Sequence, residues 1–422
     1  MGLEINRRTF LTGLAAAAAV PARAAITPPA SPVAIAKCKS YSESLPVITK
    51  LMDQLGGLGK LVKGKTVVIK INFTGGPTTR LGYLPQSRSY WTNPQQVGAM
   101  ITLLDKAGAR RIRIAEGADS PFVSLEEWMY KSSWNVTALK NAAPRVDFVN
   151  TNIAYPGKKP YARFTVPNGG LLFPAYDLNT VFDECDVLIS MTKAKEHTTA
   201  GVTISMKNLF GMTPNCIYGA GAGGDEPLKM PKGGRQQILH GGRGNPPKSS
   251  LPELDPNSPR QDTYRIPRCV ADINAARPYH LAVIDAVESI SGGEGPWSPG
   301  ARPCSPGFVF AGTNGVCVDA VGMALMGFDP MADRGQVPFE DGDSALKLAE
   351  SLGVGTRDLK RIEVIGTPIA EAKFDYRAVP GGIYLRGQPR QQRQPGQFPG
   401  RGGQPGRGNQ PGGPGPTPAG RG

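Results

Sequence analysis

The sequence has no C-x-x-C pair, and its six cysteines (38, 185, 216, 269, 304, 317) are widely scattered. That spacing encodes neither a ferredoxin cluster nor a ribbon zinc site, so no iron–sulfur cluster is expected. Histidine is scarce: His197, His240 and His280 are the only three in 422 residues, with no close spacing, which argues against a three-histidine zinc centre. No Gly-x-Ser-x-Gly elbow occurs, which argues against a serine hydrolase. No zinc-finger, basic-helix or aromatic RNA-binding motif accompanies the net charge of +14, so no specific nucleic-acid partner is expected. Acids are absent from residues 387–422, where Gly, Pro, Gln and five arginines dominate; this tail cannot bury enough apolar surface to offset its ordering entropy and is expected to be disordered. Long apolar runs are also missing. Leu11 to Val20 is about half the ~20 residues of a spanning helix, so no transmembrane anchor is expected in the mature chain.

What the amino terminus does carry is a targeting pattern. Asn6-Arg7-Arg8-Thr9-Phe10-Leu11 has twin arginines before an apolar pair, and Ala22-Arg23-Ala24 fits the small-x-small cleavage rule. Residues 1–24 therefore read as a twin-arginine signal peptide, with the export machinery as a partner and a periplasmic or secreted location. Subtracting the tail's five arginines and the leader's net two from +14 leaves about +7 for the core, a balance suited to an anionic small molecule.

Along the core, short apolar strands alternate with helical patterns. Thr66–Ile71, Arg111–Ala115, Val146–Val149, Val187–Ser190, Leu281–Asp285, Gly307–Ala311 and Arg361–Ile365 read as strands. Helices are predicted over 44–60, 95–107, 125–139, 268–276, 316–326 and 344–352, with Asn93-Pro94 as a cap and first position. The predicted fold is α/β: a three-layer core with a mostly parallel sheet, a partly β-rich insertion over 154–173 and a long Gly/Pro-rich flap over 212–267. One domain is expected over residues 33–380.

Three constellations carry candidate chemistry. The first follows the Val187–Ser190 strand: Lys193, Lys195, His197, Thr203, Ser205, Lys207 and Asn208 fall within sixteen residues. Lysines suit phosphate or carboxylate, and a histidine beside them suits proton transfer. His197, Lys195 and Lys207 are the candidate catalytic groups; Lys193, Thr203, Ser205 and Asn208 are candidate binding groups. The second is Lys70-Ile-Asn72 with Gly75-Gly76, where strand alternation puts Lys70 and Asn72 on one face and the glycines free backbone N–H groups for an anion. This turn lacks the Gly-Lys-Ser/Thr ending of a phosphate loop. The third is acidic: Asp285 ends a strand and Glu294 sits in a Gly-rich turn, placed to hold a divalent cation such as Mg²⁺ or Ca²⁺, to act as opposing base, or to pair with the lysines. Capping of helices or turns is the alternative for Asp285 and Asp319. The three segments are expected to converge at one end of the sheet.

Several of these residues form a recognisable set. Lys70-Ile-Asn72, Lys195 with His197, Gly201-Val-Thr203, Ser205-Met-Lys-Asn-Leu-Phe-Gly211, Ile284-Asp285, Gly292-Gly-Glu-Gly-Pro296, Val318-Asp-Ala-Val-Gly322 and Leu325-Met-Gly-Phe-Asp-Pro330 occur in order between about 65 and 366. The chain in this region resembles the exported proteins that carry domain of unknown function 362. Members with an added ferredoxin module look like iron–sulfur proteins; this chain lacks those cysteines, so the resemblance implies no cluster here. Two functions fit: an enzyme acting on an anionic small molecule, of hydrolase or isomerase type, or a non-catalytic periplasmic protein that binds a ligand or carries a cofactor.

Overall fold

The computed structural model describes residues 27–118, 123–152, 161–220 and 234–379. The twin-arginine leader, the tail from 387 and flap residues 221–233 lie outside the described residues.

In chain order the elements are β1 (Val33–Lys37), α1 (Ser44–Gln54), α2 (Gly59–Val62), β2 (Thr66–Lys70), α3 (Pro94–Lys106), β3 (Arg111–Glu116), α4 (Leu125–Lys131), α5 (Val136–Asn141), β4 (Val146–Asn150), β5 (Tyr161–Thr165) and β6 (Ala175–Asn179). There follow β7 (Val187–Lys193), β8 (Lys195–His197), β9 (Gly201–Thr203), α6 (Ser205–Leu209), α7 (Asn215–Tyr218), α8 (Asp262–Ala276), β10 (Leu281–Ala286), β11 (Ser289–Ser291), β12 (Arg302–Cys304), β13 (Phe308–Gly312), α9 (Gly315–Leu325), α10 (Ala345–Ser351), β14 (Val364–Gly366) and α11 (Ile369–Ala372). Eight strands form one sheet in the order β14-β1-β13-β10-β7-β2-β3-β4. Only β13 runs antiparallel to its neighbours. The α/β expectation with a mostly parallel sheet holds.

Strand alternation divides the core into two layers. Val67, Ile69, Val187, Ile189, Met191 and Val283 pack with α1 and α3 on one face. Val68, Leu188, Ala282 and Ile284 pack with α6, α8 and α9 on the other. Strands buried on both faces read as continuous apolar runs, which is why most were visible in the sequence.

Several boundaries moved. β1 was not anticipated: its five residues follow a Pro-rich stretch and carry no alternation, yet they pair with β13 and β14. The single helix expected over 125–139 is two, broken at Ser133, whose φ of 64° ends α4. The strand expected to end at Ser190 continues to Lys193. Residues 154–160 of the expected β-rich insertion lie outside the described residues; its described part is a hairpin of β5 and β6 that extends past the expected 173 to Asn179. Helix α8 begins six residues before the expected 268 and runs through Pro267, whose ring removes the bond to the Thr263 carbonyl; the Asp343 N–H takes that carbonyl instead, at 3.2 Å. Among the described residues no helix is long and apolar enough to cross a membrane.

Candidate functional site at the switch point of the sheet

From β2 the chain builds outward to β3 and β4; from β7, on the other side of β2, it builds to β10 and β13. The strand order therefore reverses between β2 and β7. In open parallel sheets the crevice beyond the carboxyl ends at such a reversal is the place for a ligand. Lys70 ends β2, Glu116 ends β3 and Lys193 ends β7.

Alternation then sorts these residues. Lys70 follows Val68 to the α6 face. Its ammonium lies 2.9 Å from Glu116, with the Ile71 carbonyl at 2.6 Å and Asn208 Oδ1 at 3.3 Å. Glu116 also accepts the N–H groups of Phe73 and Gly117. Lys193 follows Met191 to the opposite, α1 face. There it is 2.6 Å from Asp285, with the Tyr41 hydroxyl at 2.5 Å and the Glu288 carbonyl at 2.7 Å. The expected grouping of Lys193 with Lys195 and Lys207 fails for this reason: period two sends Lys193 through to the other side of the sheet. Burial pushes both Lys70 and Lys193 down from the ordinary lysine value, and their carboxylates oppose it.

Lys195 is buried just beyond the carboxyl ends of β2 and β7, in a hairpin formed by β8 and β9. Its Nζ donates to Asn72 Oδ1 at 3.1 Å and to the Tyr90 carbonyl at 2.6 Å, and meets no carboxylate. Burial, the largest cause, with the charges of Lys207 and Lys193, pushes it down to about 7 against the pull of Glu294. Lys207, on α6, lies over the Phe210 ring at 4.3 Å and makes no hydrogen bond or ion pair among the described residues. Burial, with Arg235 and Lys70 adding to it and Glu294 opposing, brings Lys207 down to about 8.

His197 has its tautomer set by the backbone. Nδ1 accepts the N–H groups of Thr199 and Ala200, both at 3.2 Å, so the neutral ring carries its proton on Nε2. Burial lowers its pKa below the ordinary histidine range. With Nδ1 occupied, the neutral ring has its Nε2–H left as a hydrogen-bond donor. Glu294 lies 3.9 Å away. Burial opposes its ionisation, but the Thr198 N–H and hydroxyl, both at 3.0 Å, and the Trp297 indole at 2.7 Å help hold it ionised.

Other predicted groups serve the frame. All four hydrogen-bonding positions of the Asn208 amide are filled, by Lys70 Nζ, Asn72 Nδ2, the Lys70 carbonyl and Ser190 Oγ. Asn208 thus clamps β2 to α6 and β7. Ser205 is held by Asp319, which accepts its N–H, its hydroxyl and the Met206 N–H, and by the Tyr279 hydroxyl at 2.6 Å. Asp319 is therefore a cap, although for α6 and not for its own helix. Thr203 is buried, and its hydroxyl has no partner among the described residues.

The cation site expected of Asp285 and Glu294 does not form among the described residues. The two carboxylates belong to different networks, and no group of three His, Cys, Asp or Glu side chains is placed to hold an ion. Two glycines of the Gly-rich turns make room for a side chain. A β-carbon at Gly75 or Gly295 would overlap the Trp297 ring, so both turns are shaped to seat that indole beside Tyr90. Gly59-Lys-Leu-Val-Lys-Gly-Lys65-Thr66 has phosphate-loop spacing, but it runs from α2 into β2, the reverse of strand, loop, helix.

Sequence reasoning missed Glu116, Arg235 and His240. Glu116 had a signal, since it ends a parallel strand next to β2. Arg235 donates to the carbonyls of Thr213 at 2.6 Å and Gly211 at 3.1 Å, and its charge is felt by Lys70 and Lys207. His240 packs edge-on against Phe210 and senses Lys207 and His197. Both come from the flap, whose described part is tied to α8 by the buried Arg265, bonded to Glu253 at 2.6 Å and to the Ile238 carbonyl at 2.9 Å.

The sequence profile for domain of unknown function 362 matches residues 67–324, and the chain belongs to that family. No curated protein matches it. Two solved structures are similar in fold. The lactate racemase apoprotein from Thermoanaerobacterium thermosaccharolyticum is 14% identical, over 67% of this chain and 54% of that one, with a TM-score of 0.34. A protein from Thermotoga maritima is 10% identical, over 61% of this chain and 52% of that one, with a TM-score of 0.29. The chain thus spans about half the length of each.

Proposed function

We propose that this family member is an exported enzyme that binds a small anionic molecule in the crevice between β2 and β7. Lys207 holds the negative charge, Lys195 moves a proton, and His197 donates a hydrogen bond from Nε2. The observation that carries this reading is the charge balance. Among the described residues, Lys207 feels the charges of Arg235 and Lys70, and Lys195 feels those of Lys207 and Lys193, against Glu116 and Glu294. Lys193, whose charge also reaches Lys195, is itself balanced by Asp285 at 2.6 Å. Buried cations in excess are stabilised by an anion, either carboxylate or phosphate. Export rests on the twin-arginine pattern. All six cysteines are free and buried, as suits a chain that folds in a reducing compartment before crossing the membrane.

The test is calorimetric titration of the mature protein with inorganic phosphate and with small carboxylates at pH 6 and pH 9. Lys207 loses its charge as pH rises through about 8, so affinity is expected to be higher at pH 6 and at least about tenfold weaker at pH 9, the change that 1.4 kcal/mol of lost attraction produces. Lys207→Ala is expected to bind weakly at both values. Affinity that does not change with pH or with this substitution would count against the site. Binding without turnover would mark a carrier and not an enzyme.

A further inference from the structure

We infer that Lys195 is a nucleophile that condenses with the carbonyl carbon of a small oxo acid to form an imine. This rests on the anion site proposed above and names its substrate class. The observation is a difference between three buried lysines. The ammonium groups of Lys70 and Lys193 each meet three acceptors, one of them a carboxylate, as three N–H donors require. Among the described residues Lys195 donates to two acceptors, Asn72 Oδ1 and the Tyr90 carbonyl, both uncharged, with the Tyr90 ring centroid 5.6 Å from Nζ. A neutral amine has two N–H donors and one lone pair. The described surroundings satisfy both donors and leave the lone pair unengaged, whereas an ammonium there would keep one buried N–H without a hydrogen-bond acceptor among the described residues. A desolvated amine next to a second cation, here Lys207, is the activated form of a lysine nucleophile.

The neighbours fit a carbonyl substrate carrying a carboxylate. Lys207, without an ion pair among the described residues, is the charge for the carboxylate. Lys195 lies directly opposite Thr203 in the hairpin, and His197 opposite Gly201, so Lys195, His197 and Thr203 share one side of it. Thr203 is a buried hydroxyl without a partner among the described residues, and His197 offers Nε2–H. Both are donors on the side where a carbonyl oxygen would lie, and donation there polarises the carbon for attack.

The step balances without an oxidant. The Nζ lone pair forms a bond to the carbonyl carbon while the C=O π pair moves to oxygen. One N–H proton passes to that oxygen, giving a carbinolamine. The second N–H proton is lost as the hydroxyl departs, so amine and ketone become imine and water. Protonation of the imine then gives an electron-withdrawing cation beside the substrate's carboxylate.

The experiment is reductive trapping. The mature protein is incubated with pyruvate or glyoxylate and sodium cyanoborohydride, digested, and mapped by mass spectrometry. The expected result is a reduced adduct close to one per chain on Lys195, with surface lysines labelled at least about tenfold less. Lys195→Arg should abolish the adduct, and Lys207→Ala should lower its yield at subsaturating oxo acid. If Lys195→Arg does not fold, the peptide map of the unaltered protein still decides, since the adduct is located by residue. Calorimetric titration with the same oxo acid separates the two claims. Binding without an adduct on Lys195 overturns the imine and leaves the anion site standing; neither binding nor adduct overturns both. Labelling spread evenly over surface lysines also overturns the imine.

Discussion

Asp285→Ala is expected to lower the unfolding free energy by about 3–5 kcal/mol, read from urea denaturation at pH 7, because it strands the buried ammonium of Lys193. Asp285 and Lys193 lie on adjacent parallel strands in direct register, 2.6 Å apart and essentially inaccessible to solvent. Burial raises Asp285 and lowers Lys193, so each charged form depends on the other. Tyr41 and the Glu288 carbonyl complete the ammonium's shell but bring no charge to replace the lost one. The double variant Asp285→Leu with Lys193→Met should recover most of the loss, since two apolar side chains of similar volume need no partner. A loss below about 1 kcal/mol in the single variant would show that this pair is hydrated or uncharged.

Lys195→Met is expected to have the opposite sign, although both lysines are buried and stand two residues apart. At pH 6 the variant should be more stable than the parent by roughly 1–3 kcal/mol, the order of the penalty for a buried N–H without a partner. The pH dependence supplies a second reading. A lysine whose folded pKa is depressed to about 7 binds fewer protons folded than unfolded between about 7 and the ordinary value near 10.4. Its stability contribution is therefore full above the unfolded value and is lost as pH falls to the folded one, so stability rises with pH across that window. The slope from one such group is at most about 1.4 kcal/mol per pH unit. Paired urea curves for the parent and Lys195→Met between pH 6 and pH 9 should show the parent's slope reduced in the variant. Equal slopes, or destabilisation by the substitution, would place Lys195 in a structural ion pair.

The contrast between these lysines shows how much was legible in the sequence. The apolar runs of β2, β3, β7 and β10 declared themselves, and so did the cap at Asn93, whose side chain accepts the Gln95 N–H. Convergence of Lys70-Ile-Asn72 with the segment after β7 followed from placing polar residues at the ends of parallel strands, and Asn72 does meet both Lys195 and Asn208. The face each lysine takes did not follow, because ending β7 at Ser190 left Lys193 in a loop without alternation. Continuing the strand three residues sends it to Asp285 and takes Asp285 from any cation. The glycines misled for a related reason. Gly75 was read as freeing backbone N–H groups for an anion, but a glycine reports only that something comes close, and at Gly75 and Gly295 it is an indole. His240 falls in the stretch read as a flap on composition alone; nothing local in the sequence ties that stretch to Arg265.

The most direct measurement is the titration of Lys195 itself. Protein labelled with ¹³C at lysine Cε, with the Lys195 resonance identified by its loss in Lys195→Met, can be followed by NMR from pH 5.5 to pH 10. The expected result is a midpoint near 7. A midpoint at the ordinary lysine value of about 10.4 would mean a stable ammonium, and neither the proton-moving nor the nucleophilic role of Lys195 would survive it.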